Sequence, residues 1–439
     1  MVKRYIEENV YTEFQKRIKF IFEDFENVLV AFSGGKDSGV LLNLTYEYAK
    51  KNNLLHKLHM YHLDYEAQYQ ATTEYVEDCF LNQYPEIKKY WLCLPIAAQC
   101  AVSMKQDHWV PWDENLKDIW VREMPENQYV INEKNVQFDF KKGMWDYDAQ
   151  TAFCDWFSKV NGKTAVLVGI RSDESLQRLS AITSKNKVNQ YKGLSWCTKN
   201  NGDENNVNCY PLYDWNVEDI WIANGKFNFT YNKLYDLYYQ AGLSIHQMRV
   251  ASPFNDCAID TLKVYKVVDP QTWGKMIGRV NGVNFAGIYG GTTAMGWKSI
   301  KLPKGHTWKS YMYFLLDTLP EEVKENYLQK LETSIKFWRE KGGVLSDETI
   351  RELRDEGKEI DVGTKTNYKT DKKPVKFSDY PDDTDASEFQ KVPTYKRMCI
   401  CIMKNDHLCK YMGFGQTKKE IEKRKKCISK YKNIVRGLV

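Results

Sequence analysis

An unbroken apolar run, Val28-Leu-Val-Ala-Phe32, leads straight into Ser33-Gly34-Gly35-Lys36-Asp37-Ser38. From Gly39 to Lys51 the apolar residues Val40, Leu41, Leu44 and Tyr48 then recur at helical spacing. This order limits the fold more than any other feature of the chain. A strand without polar interruption is buried on both faces, which points to a parallel sheet covered by helices. Two glycines at the turn let the backbone bend tightly and let a ligand approach without Cβ atoms in the way. The amide N–H groups converge at the positive end of the following helix, a ready anion site. Ser33 and Ser38 add hydroxyl donors, and Lys36 adds charge that neutralises phosphate. Asp37 suits such a place only if it fixes the loop by hydrogen bonds or binds Mg²⁺. The spacing is not that of the G-x-x-x-x-G-K-[ST] loop.

The same alternation continues. Leu58–Leu63 predicts a second strand, Thr72–Tyr84 a helix, and Lys89–Leu94 a third strand stopped by Pro95. Thr151–Val160 predicts a further helix and Thr164–Val168 a fourth strand. Repeated strand–helix units predict an α/β domain with a parallel sheet and helices on both faces. An insertion at 96–145 carries Trp109, Trp112, Trp120 and Trp145, and is either a lid over the ligand or a packed excursion. The expected organisation is a nucleotide-binding domain at 1–240 and a mostly helical domain at 241–345, where Pro320-Glu-Glu-Val opens an amphipathic helix. A charged linker or excursion at 346–392 and a basic, cysteine-containing element at 393–439 follow.

Composition removes several classes. No apolar run approaches the ~18 residues of a spanning helix, and the charged opening Met1–Glu8 lacks the apolar stretch of a secretory signal. Eleven cysteines, an odd number, argue for a reducing compartment rather than a disulfide framework. The chain therefore reads as cytoplasmic, with no membrane partner. Its net charge of +5 hides an asymmetry. Residues 391–439 hold 14 Lys/Arg against three acidic residues, a charge of +11, which leaves −6 on the preceding 390. The run Lys423-Arg424-Lys425-Lys426 is either a nucleic-acid backbone contact or a solvated helix face.

A second block, Val168-Gly169-Ile170-Arg171-Ser-Asp-Glu174-Ser175-Leu-Gln-Arg178, follows the fourth strand and so lies at the sheet edge that carries the glycine loop. Arg171 and Arg178 suit bidentate grip on phosphate or sulfate, with Glu174 orienting an arginine. The competing reading is an ion-pair cluster at a helix start. Asp64, ending the second strand, either meets ribose or adenine or caps the next helix. The glycine loop resembles the S-G-G-x-D-S loop of the PP-loop ATP pyrophosphatases. The second block resembles the G-x-R-x-x-E-S-x-x-R stretch of their phosphoadenylyl-sulfate (PAPS) reductase branch. Tyr210-Pro-Leu-Tyr-Asp-Trp215 with Val217–Trp221 is similar to that branch's closing strand and short helix. Further on, Ser244-Ile-His246-Gln-Met248-Arg249-Val-Ala-Ser252, Asp269-Pro-Gln-Thr-Trp273, Arg279–Phe285, Arg397-Met-Cys and Lys404-Asn-Asp406-His407 resemble the C-terminal domain of the immunoglobulin-binding regulator A (IbrA) family.

The first resemblance implies an α/β PP-loop, adenine nucleotide α-hydrolase-like domain that binds ATP or a related adenine nucleotide with Mg²⁺. The residues it implies are Ser33, Gly34, Gly35, Lys36, Asp37, Ser38, Asp64, Gly169, Arg171, Glu174 and Arg178, with Arg249 as an anion-binding candidate. Cleavage between the α and β phosphates would adenylylate an acceptor, with Lys36, Asp37 and Arg171 nearest the chemistry. The regulator resemblance implies instead a co-activator of prophage gene expression, switched by nucleotide and acting with a ParB-like partner or DNA. The chain departs from the reductases in lacking their C-terminal Glu-Cys-Gly segment, so sulfate reduction by that route is not expected. It has no C-x-x-C pair. Cys399, Cys401, Cys409 and Cys427, with His407, do not have a standard zinc or iron–sulfur spacing, and buried thiols are expected. Cys197 is expected in a loop, as an ordinary cysteine or a nucleophile.

Overall fold

In the computed structural model the apolar run lies inside an eight-stranded sheet. The structure describes residues 6–103, 106–174, 178–179, 182, 189–255, 258–289, 300, 302–364 and 372–414. The sheet takes β1 (Asn27–Ala31), β2 (Leu58–Leu63) and β3 (Lys88–Leu92). A small ribbon of β4 (Ala98–Gln99) and β5 (His108–Trp109) intervenes before β6 (Val130–Ile131), β7 (Thr164–Val168), β8 (Gln190–Tyr191), β9 (Leu194–Asn200) and β10 (Asp203–Cys209). The spatial order is β6-β3-β2-β1-β7-β10-β9-β8. Strands β6 to β10 in that order are parallel, while β9 is antiparallel to both β10 and β8. The chain builds outward from β1 through β2 and β3 on one side, then returns to place β7 on the other. Strand order reverses between β1 and β7, and the crevice outside their carboxyl ends is where such sheets bind ligands.

Period-two alternation explains why β1 is apolar from Val28 onward. Val28 and Val30 face a core shared with Phe14, Ile18 and Ile21 of α1 (Val10–Asp24) and Val40 and Leu41 of α2 (Lys36–Lys51). Leu29 faces the opposite core, with Val166 and with Phe153 and Phe157 of α4 (Asp146–Asn161). Between these helices lies α3 (Gln70–Asp78), and beyond them α5 (Val217–Phe227) and α6 (Leu234–Gln240). Each of β1's faces is thus covered, and both faces need apolar side chains. Trp109, Trp112 and Trp120 of the insertion are buried, so this segment is the packed excursion rather than the lid.

The chain divides into two units, Met1–Val102 with His108–Gly290, and Ser103–Asp107 with Gly291–Val439. The first therefore runs beyond the boundary expected at 240. It includes α7 (Pro270–Arg279), started by the Asp269 cap and a proline at its first turn, and α8 (Val283–Tyr289). In the second unit are α9 (Trp308–Asp317), α10 (Glu321–Glu340), β11 (Gly343–Leu345), α11 (Asp347–Asp355), β12 (Ile360–Val362), β13 (Lys373–Phe377) and α12 (Tyr395–Met403). Composition predicts a linker or excursion over 346–392. The structure instead places α11 and the sheet β11-β13-β12 there, around Leu345, Ile350, Leu353, Val375 and Phe377. A few apolar residues at helix and strand spacing suffice for this small core, and the charges that dominate the composition stay outside. Among the described residues no helix is long and apolar enough to cross a membrane.

One buried histidine links this core to pH. Asn27 Nδ2 donates to Asn161 O at 2.7 Å, which turns Asn27 Oδ1 toward His59 Nε2, 3.2 Å away. His59 therefore carries its proton on Nε2, and its buried Nδ1 has no partner. Burial, with Lys88 adding to it, lowers the His59 pKa from 6.5 to about 4. The unfolded chain binds this proton below pH 6.5 and the folded chain only near pH 4, so stability is lost as pH falls through that window. At ~1.4 kcal/mol per pKa unit, His59 should remove roughly 2 kcal/mol of folding free energy between pH 7 and 5. Urea denaturation of wild type and His59→Gln at both pH values tests this: the stability gap between them should narrow at pH 5, and a gap independent of pH would contradict the assignment.

Candidate functional site

The loop after β1 is closed by its own hydroxyls. Ser38 Oγ lies 3.0 Å from Ser33 Oγ and 3.1 Å from Gly35 O, and it accepts Ser33 N at 3.2 Å. Gly34 has φ +75°, and a Cβ there would lie 2.8 Å from Val76 Cγ2, so both conformation and packing require glycine. Its carbonyl accepts from Asn232 Nδ2 at 2.9 Å. Gly169, just past β7, meets the first turn of α2 so closely that a Cβ would be 3.1 Å from Ser38 N and 3.2 Å from Asp37 C. The two sequence blocks are thus in backbone contact across the switch point.

An ion cluster locks this junction. Asp37 receives Lys36 Nζ at 2.9 Å on one oxygen and Arg171 Nε on the other, and Arg171 also binds Asp173. Burial works against the Arg171 charge, but the carboxylates of Asp37 and Asp173 outweigh it and raise its pKa. Lys36 Nζ also reaches Met248 O at 3.4 Å. Both Asp37 oxygens are thus engaged by cations, and in this arrangement Asp37 fixes the loop. Arg171, expected to grip phosphate, is 3% exposed and braces the loop instead.

Beside the loop opens a cleft of about 250 Å³. Ser33, Gly35, Lys36, Asp37, Ser38 and Gly169 line its floor, and Tyr61, Leu63, Tyr65 and Gln150 line one wall. Glu174, Arg178 and Arg249 stand at the other side, where Glu174 receives Arg178 through its carboxylate and Arg249 Nη2 at its carbonyl, 3.2 Å away. Arg178 keeps 39% of its side chain exposed. Ser175, between these residues in sequence, lies outside the described residues.

Asp64 does not reach the cleft. It is fully buried, with Oδ1 accepting Glu66 N at 2.9 Å and Oδ2 receiving Trp91 Nε1 at 2.7 Å and Arg122. Burial opposes its charge, and Arg122 more than compensates, so its pKa is lowered. The Trp-rich insertion supplies that arginine, which is why Asp64 is neither a ribose partner nor a helix cap. Cys197 lies on β9 rather than in a loop, directly across from Cys209 with the sulfurs 3.4 Å apart, and both are buried. Cys399, Cys401 and Cys409 are buried too, and among the described residues no three His, Cys, Asp or Glu side chains are grouped to hold a metal ion. Cys427 and Lys423–Lys426 lie outside the described residues.

Sequence reasoning missed Asn232, Tyr235 and Val250. Tyr235 Oη accepts Lys36 N at 2.8 Å, and Val250 Cβ would lie 3.6 Å from a Cβ on Gly35. Nothing in Asn232-Lys-Leu-Tyr235 points to a loop 199 positions upstream. The motif around Met248 is visible in the sequence, but it lies beyond the domain boundary expected at 240.

Residues 27–241 match the family described as the phosphoadenosine phosphosulfate reductase domain, and residues 242–423 match a domain of unknown function (DUF3440). The uncharacterized protein YbdN of Escherichia coli (strain K12) is 30% identical over 414 residues, which cover 93% of this chain and 91% of that protein. Among solved structures, an FMN adenylyltransferase of Candida glabrata with FMN and an ATP analogue is 17% identical with a TM-score of 0.29, over 53% of this chain and 62% of that one, less than two thirds of its length. The phosphoadenylyl-sulfate reductase of Candida auris in a phosphate complex is 13% identical with a TM-score of 0.28, over 54% of this chain and 94% of that one. The cleft draws on both matched segments, since Arg249 and Val250 fall in the second.

The ion cluster yields a test of Asp37. Asp37→Asn leaves Arg171 buried with one carboxylate fewer and should cost ~3 kcal/mol, the low end for breaking a buried pair. Urea denaturation without metal measures it. A metal ligand alone would leave the metal-free stability unchanged.

Proposed function

Because the chain belongs to the family of YbdN and carries a phosphoadenosine phosphosulfate reductase domain at 27–241, we propose that its cleft binds ATP or a related adenine nucleotide and cleaves it between the α and β phosphates. The observation that carries this reading is the placement of an amide-rich glycine loop, a helix N-terminus and two arginines in one crevice at the β1/β7 switch point. An acceptor nucleophile attacks the α-phosphorus, the bond to the bridging oxygen breaks, pyrophosphate leaves and the acceptor is adenylylated. The loop amides, Arg178 and Arg249 stabilise the charge that develops on the departing phosphates. Lys36 and Arg171 act one step back, by holding Asp37 and so the loop. Mg²⁺ is bound in such sites largely through phosphates and water, which suits a loop whose one carboxylate is already taken. The reading places the chain in the cytoplasm, where nucleotide and reduced thiols coexist.

A second reading keeps nucleotide binding and drops turnover: a regulatory co-activator of the kind the IbrA resemblance implies, acting with a ParB-like partner or DNA. What favours it is the absence of the reductase cysteine motif, together with the burial of all nine cysteines among the described residues. Pyrophosphate release with candidate acceptors separates the two readings.

Two outcomes are expected. Wild type should bind ATP in titration calorimetry and Gly35→Val should not, because a Cβ at 35 already stands 3.3 Å from Ser33 Oγ and 3.4 Å from Tyr235 Oη and a branched chain must push further. Unchanged affinity in a folded variant would remove the loop from the site. Thioredoxin-dependent sulfite release from phosphoadenylyl sulfate should be absent. Release that is abolished by replacing a single cysteine would restore the reductase reading.

A further inference from the structure

We propose that the Tyr235 hydroxyl is a ligand-binding donor of the cleft, relaying the first amide of α2 to a bound phosphate oxygen. The proposal rests on the nucleotide reading above. A helix N-terminus offers an anion its first few N–H groups, yet Lys36 N, the first of these, is already taken by Tyr235 Oη at 2.8 Å. Gly35, at the cap position, has no side chain that could do this. An oxygen that accepts this N–H must aim its own proton elsewhere, and the side chain lines the cleft. The phenol therefore extends the reach of the helix end into the cavity by one hydrogen bond.

The ring is not free to swing aside. Trp221 packs edge-on against it at 5.2 Å, Tyr238 does so at 6.2 Å, and the Lys36 ammonium lies 5.7 Å from its centre. A fixed ring keeps the oxygen in place when the cleft fills, so an incoming phosphate meets the hydroxyl rather than displacing it. Burial, and after it the Asp37 carboxylate, holds the phenol well above its usual range, so it remains a donor. As a neutral group it adds directionality without adding charge to a junction already crowded with ions. Tyr235 belongs to α6, which makes that helix part of the phosphate end of the site.

Tyr235→Phe keeps the ring and removes the donor. Calorimetry with ATP, pyrophosphate and adenosine, on wild type and variant, should show ATP and pyrophosphate weakened about 10-fold, as for one hydrogen bond to a charged group, with adenosine unchanged. Tyr235→p-aminophenylalanine, which keeps both ring and donor hydrogens, should recover most of the pyrophosphate affinity and serves as the comparison if the Phe variant does not fold. Pyrophosphate affinity that is equal or tighter in Tyr235→Phe overturns the proposal, because the hydroxyl would then be only a cap or a plug. An equal loss for all three ligands overturns it too, as general damage. Wild type that binds neither ATP nor pyrophosphate removes the nucleotide reading and this proposal with it.

Discussion

Asp37 holds two cations against the first turn of α2, and the geometry of the whole sheet edge depends on that arrangement. Lys36 comes from the same turn, whereas Arg171 comes from the segment after β7. The carboxylate therefore ties the segments that follow two paired strands, β1 and β7, at the point where Gly169 meets the first turn of α2. A buried charge pair gains little net stability over an apolar pair of the same shape, but it is specific: losing one partner strands the others. That specificity has a consequence for binding. Lys36 and Arg171 are paired with Asp37, as Arg178 is with Glu174, so these cations around the cleft are each held by a carboxylate of the site.

A second buried acid cluster stabilises the next strand. Asp64 binds Arg122, while Glu66, held at φ +65°, receives Arg279 through both oxygens together with the amides of Trp112 and Val121. A non-glycine residue in the left-handed region costs of order 1–3 kcal/mol and persists where its surroundings over-determine it. Four hydrogen bonds to one carboxylate do so here. The turn after β2 is in this way anchored to the Trp-rich insertion and to α7, and the insertion packs down as core rather than hinging over the cleft.

These clusters also explain what the sequence made legible. The strands β1, β2 and β7 and the loop at 33–38 are local features, set by apolar runs and by glycines whose backbone needs can be recognised from neighbours alone. Asp64 has the residue type and strand-end position of a ligand. Its fate depends on Arg122, 58 positions away, and no local pattern encodes that pairing. Arg171 was placed at the correct edge, but its partner could not be read from spacing. The segment at 346–392 misled for the opposite reason. Its composition is dominated by the charges outside, while Ile350, Leu353, Val375 and Phe377 define a core too small to shift the average.

The division of the chain into a reductase-like domain and a domain of unknown function is a boundary in sequence that the packing does not respect. Residue 242 begins the second match, yet Met248 O contacts the Lys36 ammonium, Arg249 stands in the cleft and Arg279 neutralises Glu66 beneath the turn after β2. A chain ended at 241 would lose one side of its candidate site and leave a fully buried carboxylate without its cation, a defect far more costly than the loss of surface contacts. The stretch from 242 to 289 is therefore better regarded as the closing piece of the α/β unit than as the opening of another. Whatever the remainder of the second domain does, its first part cannot vary independently of the loop it covers.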